Sequence, residues 1–395
     1  MAQTRRYFSS VSISDDFKED LVKSRLGKVA QLFEKSGIDI DEIGKIEKIK
    51  ISAWQGLTKN EDGDAEIHDL GGISVVVSPK WAEGPEWPVI QQAPQVKLPK
   101  DNASEKPATE WKTCVILPDI QAGYFRDGNG NLISTHDEAA LDICIAFIKK
   151  TKPDLIVMNG DNADFPELGK YRLTPAFQRT TQATVDYLSL LMARMRSSAP
   201  NARIVWLEGN HEARLTNYML DNAMAAFGLK QGDKPDSWPV LSVPYLCRFD
   251  EYGIEYLPGY PASQFWINNR LRVIHGHKVA SGGSTAHKYL ATEKTSVIYG
   301  HIHRREWAER TRNDWDGDKT ILAVSAGCLA RVDGAVPSTK GGNDLDGRPI
   351  RSTEDWQQGI AVVTYQEGEG NFHLELVPIR DSKMFYRGKI WENNG

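Results

Sequence analysis

The chain has 395 residues and a formal net charge of −5, with 40% apolar and 26% charged residues. That length suits two or three domains with an ample core, and the composition is ordinary for a globular protein. The acidic balance excludes a protein whose whole surface is a nucleic-acid footprint, though not one with a local basic groove.

Residues 1–80 read as a small α+β module. Ser14 can cap a helix whose apolar stripe runs Phe17, Leu21, Val22, Leu26, Val29, Phe33, and Gly37 ends it. Ile49, Ile51 and Ala53 alternate, and Ile73–Val77 follows the turn-prone Asn60–Asp64, which predicts a strand pair. The first 59 residues hold eleven Lys or Arg against nine Asp or Glu. That balance makes docking to a partner at least as good an expectation as DNA binding. The opening MAQTRRYFSS has no apolar core after its basic residues, so no secretory signal is expected. No apolar run approaches the ~20 residues of a membrane span. Cys114, Cys144, Cys247 and Cys328 are scattered without a CxxC, which argues against a disulfide framework and for a reducing cytoplasm, the host's if the source is viral.

Residues 81–110 contain Pro85, Pro88, Pro94, Pro99 and Pro107, too many for a helix or a central strand, and predict a semi-extended linker. A domain over 111–395 follows. Its short apolar runs are Val115–Leu117, Leu155–Met158, Ile204–Leu207, Arg272–Ile274, Val297–Tyr299 and Ile321–Val324, then a hairpin of 360–365 with 372–378. Between them lie amphipathic helices, one capped by Thr135 with Glu138 and one ending near Arg196. Strands alternating with helices indicate an α/β domain.

Five of the apolar strands deliver polar residues just past their C-terminal ends. Asp119-Ile-Gln121 follows the first, Asp161 the second, Asn210-His211-Glu212 the third, His275-Gly-His277 the fourth and His301-Ile-His303 the fifth. In α/β sheets that edge is where ligand sites form. The donors are oxygen and imidazole without thiolate, a set that suits Mn, Fe or Zn. Glycine neighbours the ligand in four of the five loops, where backbone must turn tightly.

This ordered set, D-x-Q, G-D-x-x-D, G-N-H-E, H and G-H-x-H, resembles the calcineurin-like metallophosphoesterase superfamily over residue 113 to about 380. The resemblance implies a four-layer αββα sandwich of two mixed sheets flanked by helices. It implies two divalent ions, Mn foremost, with Fe, Zn, Ni and Mg as further options. Asp161 would bridge them, with Asp119, Gln121 and His303 completing one site and Asn210, His275 and His301 the other. His211 would not be a ligand but would face the substrate as general acid or charge stabiliser, oriented by Asp164. The implied reaction is phosphoester hydrolysis by a metal-activated hydroxide.

Departures from the family pattern narrow the branch. Gln121 stands where histidine is usual, offering a weaker, neutral donor. Phe165 and Glu208 stand where the protein phosphatases of the superfamily carry phosphate-binding arginines, and Arg214 is expected as either an alternative phosphate clamp or a surface salt bridge. The expected substrate is DNA or a nucleotide, in the manner of the phosphodiesterase and nuclease branch. A phosphomonoesterase or protein phosphatase is the alternative. A metal-binding, non-catalytic scaffold is a third reading, against which retention of His211 and Asp164 argues. Arg304, Arg305, Arg310 and Arg312 line either a polyanion groove or, slightly favoured, a solvated strand and turn. His277 is expected to be a supporting or solvent residue.

Overall fold

The computed structural model describes residues 33, 35–37, 43–59, 65–79, 110–170, 173–314, 317–337, 344–346, 348, 350 and 355–392. The chain divides into two units, Met1–Val89 and Ile90–Gly395. In the first, β1 (Ile43–Lys59) and β2 (Ala65–Pro79) form one antiparallel hairpin, longer than the alternation suggested. The helix expected from Ser14, the turn Asn60–Asp64 and the Pro-rich stretch lie almost wholly outside the described residues.

The second unit begins with β3 (Lys112–Leu117), the hairpin β4 (Tyr124–Arg126) and β5 (Leu132–Ser134), α1 (Glu138–Thr151), β6 (Leu155–Met158), α2 (Thr181–Ser198) and β7 (Arg203–Leu207). It continues through α3 (Ala213–Asn222), the single turns α4 (Val243–Leu246) and α5 (Phe249–Tyr252), β8 (Ile254–Leu257), β9 (Gln264–Asn268) and β10 (Leu271–Ile274). Then come α6 (Thr285–Leu290), β11 (Ser296–Tyr299), β12 (Arg305–Asp314), β13 (Gly317–Ala326), β14 (Gly359–Tyr365), β15 (Phe372–Arg380), β16 (Lys383–Tyr386) and β17 (Lys389–Glu392).

An eight-stranded sheet has the order β17-β16-β15-β14-β3-β6-β7-β8, and a five-stranded sheet the order β12-β13-β11-β10-β9. Both are mixed: β3, β6, β7 and β8 run parallel, as do β10, β11 and β13, while their flanking strands run antiparallel. Side chains alternate across each strand, so the central strands serve two cores. Ile116, Val157, Val205 and Leu207 share one core with Phe265, Val273, Ile298 and Val324, which joins sheet to sheet. Leu117, Ile156, Met158 and Trp206 face the other way, against Leu141, Phe147 and Ile148 of α1 and Leu188, Leu191 and Met195 of α2. Val297, Tyr299 and Ala323 pack on Ala286, Tyr289 and Leu290 of α6. The result is helix, sheet, sheet, helix, the four-layer architecture the motifs implied. Burial of each large side chain contributes about 1.5–3 kcal/mol, which is why these runs are apolar on both faces.

One cap differs from expectation. Asp137, not Thr135, caps α1, with its carboxylate accepting from Ala140 N at 3.0 Å. The Thr135 hydroxyl instead donates to Gln121 O at 3.3 Å, tying the hairpin strand to the first ligand loop. Among the described residues no helix is long and apolar enough to cross a membrane.

Candidate metal centre

The loops after β3, β6, β7, β10 and β11 converge at one edge, because the parallel strands of each sheet end on the same side. Their backbone is contorted. Asp119, Gln121, Asp161, His301 and His303 all adopt the left-handed conformation, with φ of 37°, 51°, 49°, 72° and 56°. Such conformations cost a non-glycine residue about 1–3 kcal/mol and persist where surrounding structure enforces them, characteristically at functional sites. Two glycines permit the close approach. A Cβ on Gly209 would stand 2.3 Å from Asp161 N and Oδ1, and one on Gly160, at φ +79°, would stand 2.7 Å from the His275 ring.

Two groups of donors result. Asp161, His275 and His301 bring one ligand atom each within 4.8 Å of one another, and so do Asp119, Asp161 and His303. Asp161 belongs to both. Its Oδ2 lies 3.2 Å from His275 Nε2, and Asp119 Oδ1 lies 3.2 Å from His303 Nε2. Asn210 Oδ1 joins the first group, 3.1 Å from His275 Nε2 and 2.8 Å from His301 Nδ1. Gln121 joins the second, its Nε2 3.3 Å from Asp161 Oδ2 and 3.4 Å from His303 Nε2. All seven expected ligands therefore meet.

These residues fit divalent cations. The set is oxygen and imidazole, it lies buried apart from partly open Asn210 and His301, and Gln121 Oε1 is enclosed with no hydrogen-bond partner among the described residues. Either three-residue group could hold an ion, with Asp161 common to both.

Supporting contacts fix the donors. His275 Nδ1 donates to Asn159 O at 2.8 Å, which leaves Nε2 free to face Asp161. The Asn159 amide donates to Ile274 O and accepts from Gly300 N, bracing the loops of both sheets. His301 N donates to Asp119 Oδ1 at 2.9 Å. Glu212 does most of the bracing. Its Oε1 accepts from Asn162 N and Ala163 N at 2.7 and 3.2 Å, and its Oε2 from Asp161 N and Gly209 N, both at 2.9 Å. One buried carboxylate thus holds the β6 and β7 loops together.

His211 sits beside the cluster. Its Nδ1 lies 2.9 Å from Asp164 Oδ1, and its Nε2 3.7 Å from Asp161 Oδ2. Arg214 donates from Nη2 to His211 Nε2 at 3.0 Å and from Nη1 to Asp164 O at 2.7 Å. The guanidinium proposed as a phosphate clamp is thus lodged on the histidine it would assist.

Charge is unevenly distributed. Burial opposes the charged form of His275, but Asp161 and Asp119 outweigh it and lift its pKa to about 10. Burial and then the charge of His275 push His301 down to about 4. Burial opposes charge on His211 too, yet Asp161 and Asp164 raise it, against the nearby Arg214. Burial and Asp161 raise Glu212 to about 7, partly offset by its N–H donors. The cluster is thus set up to be compensated by added positive charge.

Other expectations resolve simply. His277 is exposed beside the site. Arg304 pairs with Glu306, and Arg312 donates to Leu290 O. Arg305, Arg310 and Arg312 lie on β12, as the strand reading expected. Sequence reasoning missed the roles of Glu212 and Asn159. It also missed Glu208, which accepts from Tyr256 Oη, Gly259 N and Tyr260 N at 3.0, 2.6 and 2.9 Å. The G-N-H-E motif carried the signal for Glu212, since an acidic residue buried three positions after a tight glycine must find several donors.

Comparison with known proteins agrees with this geometry. Residues 116–305 match the calcineurin-like phosphoesterase family. The chain is 25% identical over 289 residues to the Gene 54 protein of Mycobacterium phage L5, and 27% identical over 295 residues to that of Mycobacterium phage D29. Each alignment covers 71% of this chain and 99% of the relative. Residues 116–305 thus form a calcineurin-like phosphoesterase domain, which indicates a hydrolase acting on phosphoric ester bonds.

Proposed function

We propose that the chain is a phosphodiesterase or nuclease acting on DNA or nucleotides, with two divalent ions, Mn foremost, sharing Asp161. The observation that carries this reading is the pair of donor groups meeting at that one carboxylate. Asp119, Gln121 and His303 would hold one ion, and Asn210, His275 and His301 the other. Such ions supply Lewis acidity to the phosphoryl group and to attacking water.

The chain's own residues do the rest. His211, with Nδ1 held by Asp164, is oriented to present Nε2 to a departing alkoxide and give it a proton. Arg214, now on that same Nε2, would turn to a phosphoryl oxygen when substrate displaces it, because guanidinium pairs well with phosphate. A diester rather than a phosphoprotein is favoured because Glu208 is committed to the Gly259–Tyr260 backbone, where a phosphatase arginine would meet a monoester dianion. Residues 1–80 would dock DNA or a partner, joined by the 81–110 linker to the catalytic domain, and the protein would act in the cytoplasm. The test is turnover of purified protein with Mn²⁺ on a bis-ester, a monoester, single- and double-stranded DNA and cyclic nucleotides. Diester turnover is expected to dominate. A monoester preference would overturn the diesterase reading and favour a phosphomonoesterase.

A further inference from the structure

Two aromatic rings flank the donor cluster, one beside each group. The Tyr260 ring lies 5.7 Å from that of His275, inclined at 61°. The Trp356 ring lies 4.1 Å from that of His303, inclined at 81°. Both residues are half-buried rather than enclosed. Neither is incidental to its loop. Buried Glu208 grips Gly259 N and Tyr260 N, fixing the backbone that carries the tyrosine. Trp356 rests on Cys328, Ala330 and Val336, and its neighbour Gln357 donates from N to His303 O at 2.9 Å.

We propose that Tyr260 and Trp356 are specificity-determining walls that stack the base of a nucleotide whose phosphorus lies over the donor cluster. The inference rests on the diesterase reading and names its substrate class. A phosphodiester has two ester arms, and a ring beside each donor group offers either arm a flat platform. Base–aromatic stacking tolerates any base, so the substrate class is a nucleotide unit in an unpaired strand or a small nucleotide ester, without strict sequence preference.

The experiment compares thymidine 5′-(4-nitrophenyl phosphate) with methyl 4-nitrophenyl phosphate, which share a leaving group and differ in the base-bearing arm. The quantity read is the ratio of kcat/KM for the first over the second, which cancels general damage to the centre. The wild type should favour the thymidine ester. Tyr260→Leu or Trp356→Leu, whichever removes the ring under the thymine, should lower the ratio roughly tenfold, mainly through KM. Tyr260→Phe and Trp356→Phe, which keep a flat ring, should retain it. An equal preference in the wild type, or leucine variants with an unchanged ratio, would overturn the role of the rings. If the enzyme turned over monoesters alone, the diesterase reading would fall. The ratio is then read on thymidine 5′-monophosphate over methyl phosphate, where loss of ring dependence would overturn this inference separately.

Discussion

The two halves of the centre are built differently. Around Asn210, His275 and His301 the donor atoms are mutually engaged. Asn210 Oδ1 faces both imidazoles, and His275 Nδ1 is anchored on Asn159 O. Around Asp119, Gln121 and His303 the backbone is left-handed at all three residues, and Gln121 Oε1 and His303 Nδ1 are buried with no hydrogen-bond partner among the described residues. The first half is organised by hydrogen bonds it already possesses. The second carries left-handed backbone at three residues, against His301 alone in the first, together with two unmatched polar atoms, each costing about 1–3 kcal/mol. A cation there would relieve more than it would in the first half. The two sites should therefore differ in affinity and in what sets it.

The largest effect expected would abolish the comparison altogether. Asp161 is common to both halves, so Asp161→Asn should lose both ions and reduce turnover by at least about 10³-fold, the scale of metal-ion catalysis. Metal analysis and a diester assay check it. Retention of wild-type metal content would mean that Asp161 bridges nothing.

Next in size is His211, which touches both halves only through Asp161. His211→Ala should keep its metals and lose about 10²–10⁴-fold in turnover if the residue is a general acid. The loss should shrink for nitrophenolate, which departs without help. Equal losses on good and poor leaving groups would assign His211 to charge stabilisation with Arg214 instead.

Glu212 sharpens the contrast from beneath. Glu212→Gln replaces a carboxylate oxygen that faces two N–H groups by an N–H of its own. The apo protein should lose about 3 kcal/mol, as expected when a buried acceptor is removed from its donors. A denaturant midpoint within error of wild type would show that the two loops do not depend on this carboxylate.

How much of this was legible in the sequence follows from range. The ligand loops were readable because each follows an apolar run whose period names a strand, and strand ends are where α/β sites form. All seven expected ligands lie together for that reason. Glu212 was visible as a letter but not as a brace, because two of its partners are 50 and 51 residues away and are backbone N–H groups that no side-chain pattern reports. Trp356 lies 53 residues beyond His303 in an irregular stretch, where no periodicity could predict that its ring meets that imidazole. Thr135 was expected to cap α1, but its hydroxyl bonds to Gln121 O, a tertiary partner that no local pattern reports, and Asp137 takes the cap position. The strands β16 and β17 are four residues each, too short for alternation to stand out.

The smallest expected effect concerns Gln121 and tests the asymmetry most directly. Its amide nitrogen points at Asp161 and His303, and its oxygen has no hydrogen-bond partner among the described residues. With no cation, that orientation is the sensible one, since the N–H can donate to the carboxylate. With a cation between the donors, a half-turn of the amide would present oxygen instead, at the cost of one weak 3.3 Å hydrogen bond. The residue would therefore serve as a ligand only in the loaded state, and as a neutral one. Gln121→His should raise affinity in this half by about tenfold and shift preference from Mn²⁺ towards Zn²⁺, because imidazole suits the softer ion. Gln121→Ala should weaken this half while Asn210, His275 and His301 retain the other ion with Asp161. Titrating metal content and activity against each ion for the three proteins reads both midpoints. Identical midpoints and an identical metal order would remove Gln121 from the ligand set, leaving Asp119, Asp161 and His303 to hold that half and Gln121 to act only as a donor to Asp161.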